Sequence, residues 1–202
     1  MRLLLRIQLT GAPDSRAAAH ALLRRTLSQA RPDVAAEHWR FERDSRGKPH
    51  VAPGLPPMNF SLTHCRGLAA CAVAPAGLDV GVDAEPLERR VEPLRLARRF
   101  FTPEEADALA AVADEDERRR AFLRLWTLKE ATVKALGTGL AHSLQAFSFS
   151  LGDPPAVRWR EPVCDSWRFQ RWDVDGWSVA LALRGGFAPS IDIDFQIAEP
   201  PP

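Results

Sequence analysis

The chain has 202 residues, 46% hydrophobic and 26% charged, which is enough apolar material for one ordinary core or two small ones packed together. Its formal net charge of +1 argues against a general polycationic grip on nucleic acid, so any polyanion has to be met locally. No apolar run approaches the roughly eighteen residues a membrane span needs, and Met1-Arg2-Leu3-Leu4-Leu5-Arg6 is too short for a secretory signal. Cys65, Cys71 and Cys164 have the spacing of neither a zinc site nor a redox pair, so buried, inert thiols in a cytoplasmic protein are expected.

Leu3, Leu5, Ile7 and Leu9 alternate with Leu4, Arg6 and Gln8, the pattern of a half-buried strand. Asp14 or Ser15 then offers an N-cap to an Ala/Leu-rich helix running to about Ala30. Trp39 to Arg43 reads as a strand before a turn at Ser45 to Pro49, and Pro53 to Pro57 as an irregular connection. Phe60 to Thr63 and Leu68 to Ala74 read as two strands joined at Arg66-Gly67. Pro75-Ala76-Gly77 is a seam between a first half, 1–77, and a second, 78–202.

A strand restarts at Val80 to Glu85, and a helix at Pro93 to Phe100. Thr102-Pro103-Glu104-Glu105 opens another helix, with Thr102 as N-cap, Pro103 in the first turn and Glu105 closing a capping box. From about Asp116 to Leu136 a long helix carries Phe122, Leu125, Trp126, Val133 and Leu136 at three-four spacing, and Gly137 and Gly139 end it. Beyond it the chain reads as strands. Asp175-Gly176 signals a hairpin between Trp167-Phe169 and the alternating Trp177 to Leu183, and Pro200-Pro201-Pro202 a loose tail. Strands and helices in both halves, without a Gly-rich phosphate loop, give an α+β class.

The chain writes its cations as 24 arginines and only three lysines, Lys48, Lys129 and Lys134. Lysine supplies a compact point charge where a planar guanidinium does not fit, so its confinement to Gly47-Lys48-Pro49 and Trp126 through Lys134 marks a site. Asp83 and Glu85, two apart on a strand, project from the same face. At about 4 Å and an effective dielectric near 20 such carboxylates repel by roughly 4 kcal/mol, which a cation or a raised pKa would relieve. Taken alone, the pair reads as solvated acids at a strand end, and Glu130 with Lys134 as a surface i,i+4 pair. If Asp83, Glu85 and Glu130 converge, they offer oxygens to a hard ion such as Mg²⁺, with Lys134 balancing phosphate charge.

His64 is a phosphate donor if its loop meets Lys48, and otherwise a structural histidine. Glu105 is either a helix cap alone or a general base. Basic clusters at Arg89-Arg90, Arg98-Arg99 and Arg118-Arg119-Arg120 are solvated faces or a steering surface for an acidic partner. No nucleophile elbow, zincin motif or phosphate loop occurs.

Five stretches together resemble, in order, the larger, surfactin-synthetase-activating class of 4′-phosphopantetheinyl transferases. They are Gly47-Lys48-Pro49, Phe60 through Cys65, Gly81 through Glu85, Phe100 through Glu105, and Trp126 through Lys134, the last the most distinctive. The resemblance implies two similar α+β halves in a pseudo-twofold arrangement, a monomer, and coenzyme A bound in the cleft between them. It also implies Mg²⁺-dependent transfer of the phosphopantetheine arm of coenzyme A to a serine of an apo acyl or peptidyl carrier protein, releasing adenosine 3′,5′-bisphosphate. On the same basis Asp83, Glu85 and Glu130 hold the metal. Lys48, Thr63, His64 and Lys134 bind the coenzyme. Catalysis is carried by Glu105 as proton acceptor with Lys134 and Glu130. Cys65 stands where the family has a serine, and the basic segment before the first helix is short, leaving Arg16, Arg24 or Arg25 to meet phosphate. A metal-dependent pyrophosphate or nucleotide hydrolase would use the same acids, and a non-catalytic partner-binding domain would keep the motifs as structure. No nucleic-acid or membrane partner is expected.

Overall fold

The computed structural model describes residues 2–10, 15–138, 144–186 and 191–198. Asp14, Gly139 and the proline tail lie outside the described residues, as does the side chain of Ser15.

The first half runs β1 (Arg2–Leu9), α1 (Ser15–Ala30), a ribbon of β2 (Phe41–Arg43) and β3 (Pro49–Val51), then a hairpin of β4 (Met58–Cys65) and β5 (Leu68–Pro75). The second runs β6 (Asp79–Pro86), three helices α2 (Pro93–Phe100), α3 (Pro103–Ala110) and α4 (Glu115–Leu136), a ribbon of β7 (Phe147–Phe149) and β8 (Val157–Trp159), then a hairpin of β9 (Trp167–Val174) and β10 (Trp177–Arg184). One order of elements therefore occurs twice. Each hairpin places its second strand between its partner and the opening strand of the half, giving β1-β5-β4 in one sheet and β6-β10-β9 in the other. A last strand, β11 (Asp192–Ala198), crosses back and pairs in parallel with β1, so the C-terminal segment completes the first sheet.

The two sheets face each other. Leu3, Leu5, Ile7, Ala70 and Ala72 from the first meet Val80, Val82, Val179, Leu181 and Leu183 from the second. On the outer face of the first sheet, α1 packs Leu22, Leu23 and Leu27 against Leu4, Phe60 and Val73. The helices of the second half cover the outer face of the other sheet through Phe122, Leu125, Leu128 and Ala131 against Ala180 and Ala182. No helix among the described residues is long and apolar enough to cross a membrane.

Three departures from the sequence reading have physical causes. β1 is buried on both faces, because α1 covers its second side; Arg6 is accommodated there by Gln29, at 3.1 Å, and by Asp194 of β11, at 2.9 Å. The ribbons reduce to three-residue strands, too short for alternation to show, and β11 is recognisable only from its partner. The thiols differ among themselves: Cys71 is buried and Cys65 partly so, burial pushing both up to about 12, whereas Cys164 is exposed.

Gly81 sets the distance between β6 and α4. A Cβ there would lie 1.8 Å from the Ala131 carbonyl oxygen and 2.6 Å from the Ala135 nitrogen, both main-chain atoms that cannot swing aside. Gly81→Ala should therefore destabilise the protein by about 2 kcal/mol or more through overpacking, read as a lower urea midpoint. An unchanged midpoint would contradict this contact.

Candidate active site

Because Gly81 admits α4, the next residues on the same face of β6 come beneath it. Asp83 is buried, and its Oδ1 accepts hydrogen bonds from Lys134 Nζ on α4, at 2.7 Å, and from Thr63 Oγ1 on β4, at 3.0 Å. Lys134 Nζ also donates to the Val82 carbonyl at 3.0 Å. β4 is stitched to β6 by side chains here, since Ser61 Oγ accepts from Val82 N and Asn59 Nδ2 donates to Leu78 O, each at 3.0 Å. Thr63, expected among the coenzyme contacts, instead orients the Asp83 carboxylate from a buried position.

Glu85 pairs with Arg89 at 2.5 Å. Burial raises its pKa, Arg89 opposes that shift, and the charge of Asp83 adds to it. Glu130, on α4 one turn before Lys134, is likewise raised, first by burial and then by Asp83, with Lys134 opposing. Asp83, Glu85 and Glu130 are thus electrostatic neighbours. They are not a preassembled metal cage: among the described residues no group of three His, Cys, Asp or Glu side chains is placed to hold a metal ion. Asp83 is held by Lys134 and Glu85 by Arg89. Their chemistry still fits a hard divalent cation, because an all-carboxylate set with two pKa values raised by burial and mutual repulsion is relieved by added positive charge.

A cavity of about 440 Å³ opens beside this cluster, between α1, the β2–β3 turn, β4 and α4. Lys48, on the β2–β3 turn, and His64, on β4, both line it, and Glu130 and Lys134 form its α4 wall. Gly137, in the left-handed conformation at φ 67°, ends α4 where the Lys48 stem crosses it; a Cβ there would lie 3.0 Å from Lys48 Cδ. Lys48 Nζ donates to the Ala135 carbonyl at 3.4 Å, and burial lowers its pKa. Arg16, His20, Arg43 and Arg46 complete a basic lining in which Glu130 is the single acid among the described residues. Of the three arginines proposed to meet phosphate, only Arg16 faces the cavity. Arg24 bonds the Trp39 carbonyl and covers Phe41, and Arg25 donates to Gln8 at 2.7 Å. The sequence reading missed His20, Arg43 and Arg46. Arg16 and His20 are one helical turn apart, and both arginines flank Gly47-Lys48, so the signal was there once Lys48 was chosen.

Glu105 stands apart. Its carboxylate is 2% exposed and closes the capping box by accepting from Thr102 N at 3.0 Å. It also accepts from Phe149 N at 2.8 Å and pairs at 2.8 Å with Lys129, which is itself 0% exposed. Lys129 Nζ donates further to the Leu144 and Phe147 carbonyls, both at 2.7 Å, between the Phe101 and Phe147 rings. These contacts give Glu105 a structural role, as the cap of α3 and the partner of Lys129.

A family model described as the 4′-phosphopantetheinyl transferase superfamily matches residues 79–182. The 4′-phosphopantetheinyl transferase HetI of Nostoc sp. is 38% identical over 150 residues, which cover 73% of this chain and 61% of that protein. The human L-aminoadipate-semialdehyde dehydrogenase-phosphopantetheinyl transferase is 31% identical over 153 residues, covering 71% of this chain and 50% of its own. The chain thus spans about half to three fifths of the length of these relatives. A holo-(acyl-carrier-protein) synthase from Bacillus anthracis, solved in complex with CoA, superposes with a TM-score of 0.42 at 18% identity over 55% of this chain and 98% of its own.

Removing one charge of a buried pair typically costs about 3–5 kcal/mol. Glu105→Gln should lower unfolding stability on that scale, and Glu105→Leu combined with Lys129→Met should restore part of the loss. A Glu105→Gln protein with unchanged stability and abolished activity would reinstate the proton-acceptor role.

Proposed function

We propose, since this chain belongs to the 4′-phosphopantetheinyl transferase superfamily, that it transfers the phosphopantetheine arm of coenzyme A to a serine hydroxyl of an apo acyl or peptidyl carrier protein. The observation that carries this reading is the cavity itself: a basic pocket of coenzyme-phosphate character that ends at the Asp83–Lys134 pair, with Glu130 on its wall. Lys48 and Arg16 have the positions and charge to bind the coenzyme's phosphates, His64 the position and a ring N–H, and Lys134 the place to steady the diphosphate. Residues 1–77 and 78–202 act as the two halves that enclose it.

Asp83, Glu85 and Glu130 are the groups that would hold Mg²⁺. When bound, the ion supplies charge neutralisation on the diphosphate and on its leaving oxygen. The chain's own residues position the reaction. The carrier serine Oγ attacks the phosphorus bearing the pantetheine arm, the bond to the bridging oxygen breaks, and adenosine 3′,5′-bisphosphate leaves. With Glu105 committed elsewhere, Glu130 is the carboxylate on the cavity wall that can take the serine proton, directly or through water. Lys134 holds Asp83 in place, so positioning and charge stabilisation do the catalytic work without a protein nucleophile. A cytoplasmic monomer with no nucleic-acid or membrane partner completes the proposal.

Incubation with coenzyme A, Mg²⁺ and apo carrier proteins should add the mass of the arm to a carrier, and chelation should stop it until Mg²⁺ is returned. Unchanged carriers across an acyl and peptidyl panel would contradict the transferase reading, and coenzyme A cleavage without a carrier would point to hydrolysis. Asp83→Ala and Glu130→Ala should each lower turnover by about 10²-fold or more with the fold retained. Lys134→Arg should also impair turnover, because a planar guanidinium cannot reproduce the paired contacts to Asp83 and the Val82 carbonyl. Near-normal rates in these variants would remove the cluster from catalysis.

A further inference from the structure

α1 turns two side chains into the cavity one helical turn apart, Arg16 and His20. The charged groups acting on His20 are all basic: Arg16 and Arg24 from α1 itself, Arg43 from β2 and His64 from β4. Arg24 bonds the Trp39 carbonyl, and Arg43 the Gly47 carbonyl at 2.7 Å. Further along the lining stand Arg46 and Lys48 from the β2–β3 turn and Lys134 from α4, with Glu130 of α4 opposing them. Burial first, and then Arg16, Arg24, His64 and Arg43, hold the His20 imidazole below the ordinary histidine range. Held below that range, the imidazole is largely uncharged at neutral pH, among the arginines and lysines of the cavity wall. An anion entering the cavity reverses the sign of that field and makes the imidazolium favourable.

We infer that His20 is a phosphate contact of this cavity that becomes charged only as the ligand binds, so that capture of a phosphorylated ligand takes a proton from solution and its release returns one. The inference rests on the reading that the cavity takes a phosphorylated cofactor. Binding raises the imidazole pKa from its depressed value, so between the free and bound values association takes up a proton and weakens as pH rises, by at most about tenfold per pH unit.

Calorimetry on the whole chain, in two buffers of different ionisation enthalpy, tests it with coenzyme A and, separately, inorganic pyrophosphate as probes. Wild type should take up a fraction of a proton per site, and its affinity should fall about 3- to 10-fold between pH 6.5 and 8. His20→Gln, checked for its fold by circular dichroism, should lose most of that uptake and flatten the pH dependence, while His64→Gln should leave the uptake largely in place. Uptake unchanged in His20→Gln, or abolished by His64→Gln alone, overturns the inference. Pyrophosphate binding with His20-dependent uptake, in a protein that does not bind coenzyme A, would sustain the role of His20 and remove the transferase reading. Carrier modification without His20-dependent uptake would do the opposite, and a folded wild type that binds neither probe would overturn both.

Discussion

The site depends on how closely one strand lies under one helix. A hydrogen in place of a side chain at Gly81 lets the Ala131–Ala135 stretch of α4 rest on β6. That approach brings Lys134 within 2.7 Å of Asp83 and puts Glu130 beside both. The small residues opposite, Ala180 and Ala182 on β10, extend the same bed for the helix. The packing that builds the core of the second half therefore also sets the geometry of its charged groups, and neither can be altered alone.

The stretch from Trp126 to Lys134 shows how one helix divides its faces between these tasks. Trp126 joins the cluster of Phe100, Phe101 and Phe122, and Thr127 meets Ser178 of β10 at 3.1 Å. Lys129 neutralises Glu105 in the interior, Ala131 sits on Gly81, and Glu130 and Lys134 turn to the cavity. Two lysines five residues apart thus do unlike work. The one at 129 is sealed between aromatic rings and anchors the ribbon of β7 and β8 through main-chain carbonyls, while the one at 134 serves the cavity.

Much of this was legible in the chain. The main strands and helices, the Thr102 capping box and the Asp175-Gly176 turn follow from local periodicity and turn chemistry, which act within a few residues and so survive in sequence. Lys48, from the β2–β3 turn, and His64, from β4, line one cavity, a placement that only the fold could supply. What local pattern could not reveal was tertiary. Glu105 looks identical in sequence whether it caps, pairs or catalyses, and only the burial of Lys129 decides for structure. The parallel pairing of β11 with β1 depends on a partner nearly two hundred residues away, and the surroundings of His20 include Arg43 of β2 and His64 of β4 as well as arginines of its own helix. Lysine scarcity pointed to α4 but did not separate the contacts of its two lysines.

In the proposed transfer the acids of β6 and α4 would hold Mg²⁺, and Lys134 would meet the diphosphate of coenzyme A. A crystal structure of the chain with coenzyme A and Mg²⁺ tests it most directly. The account requires the diphosphate at Lys134, metal density shared by at least two of Asp83, Glu85 and Glu130, and the adenosine phosphates among Lys48, His64 and Arg16. A coenzyme bound elsewhere, or bound in this cavity with those carboxylates turned away and no ion between them and the diphosphate, would contradict it.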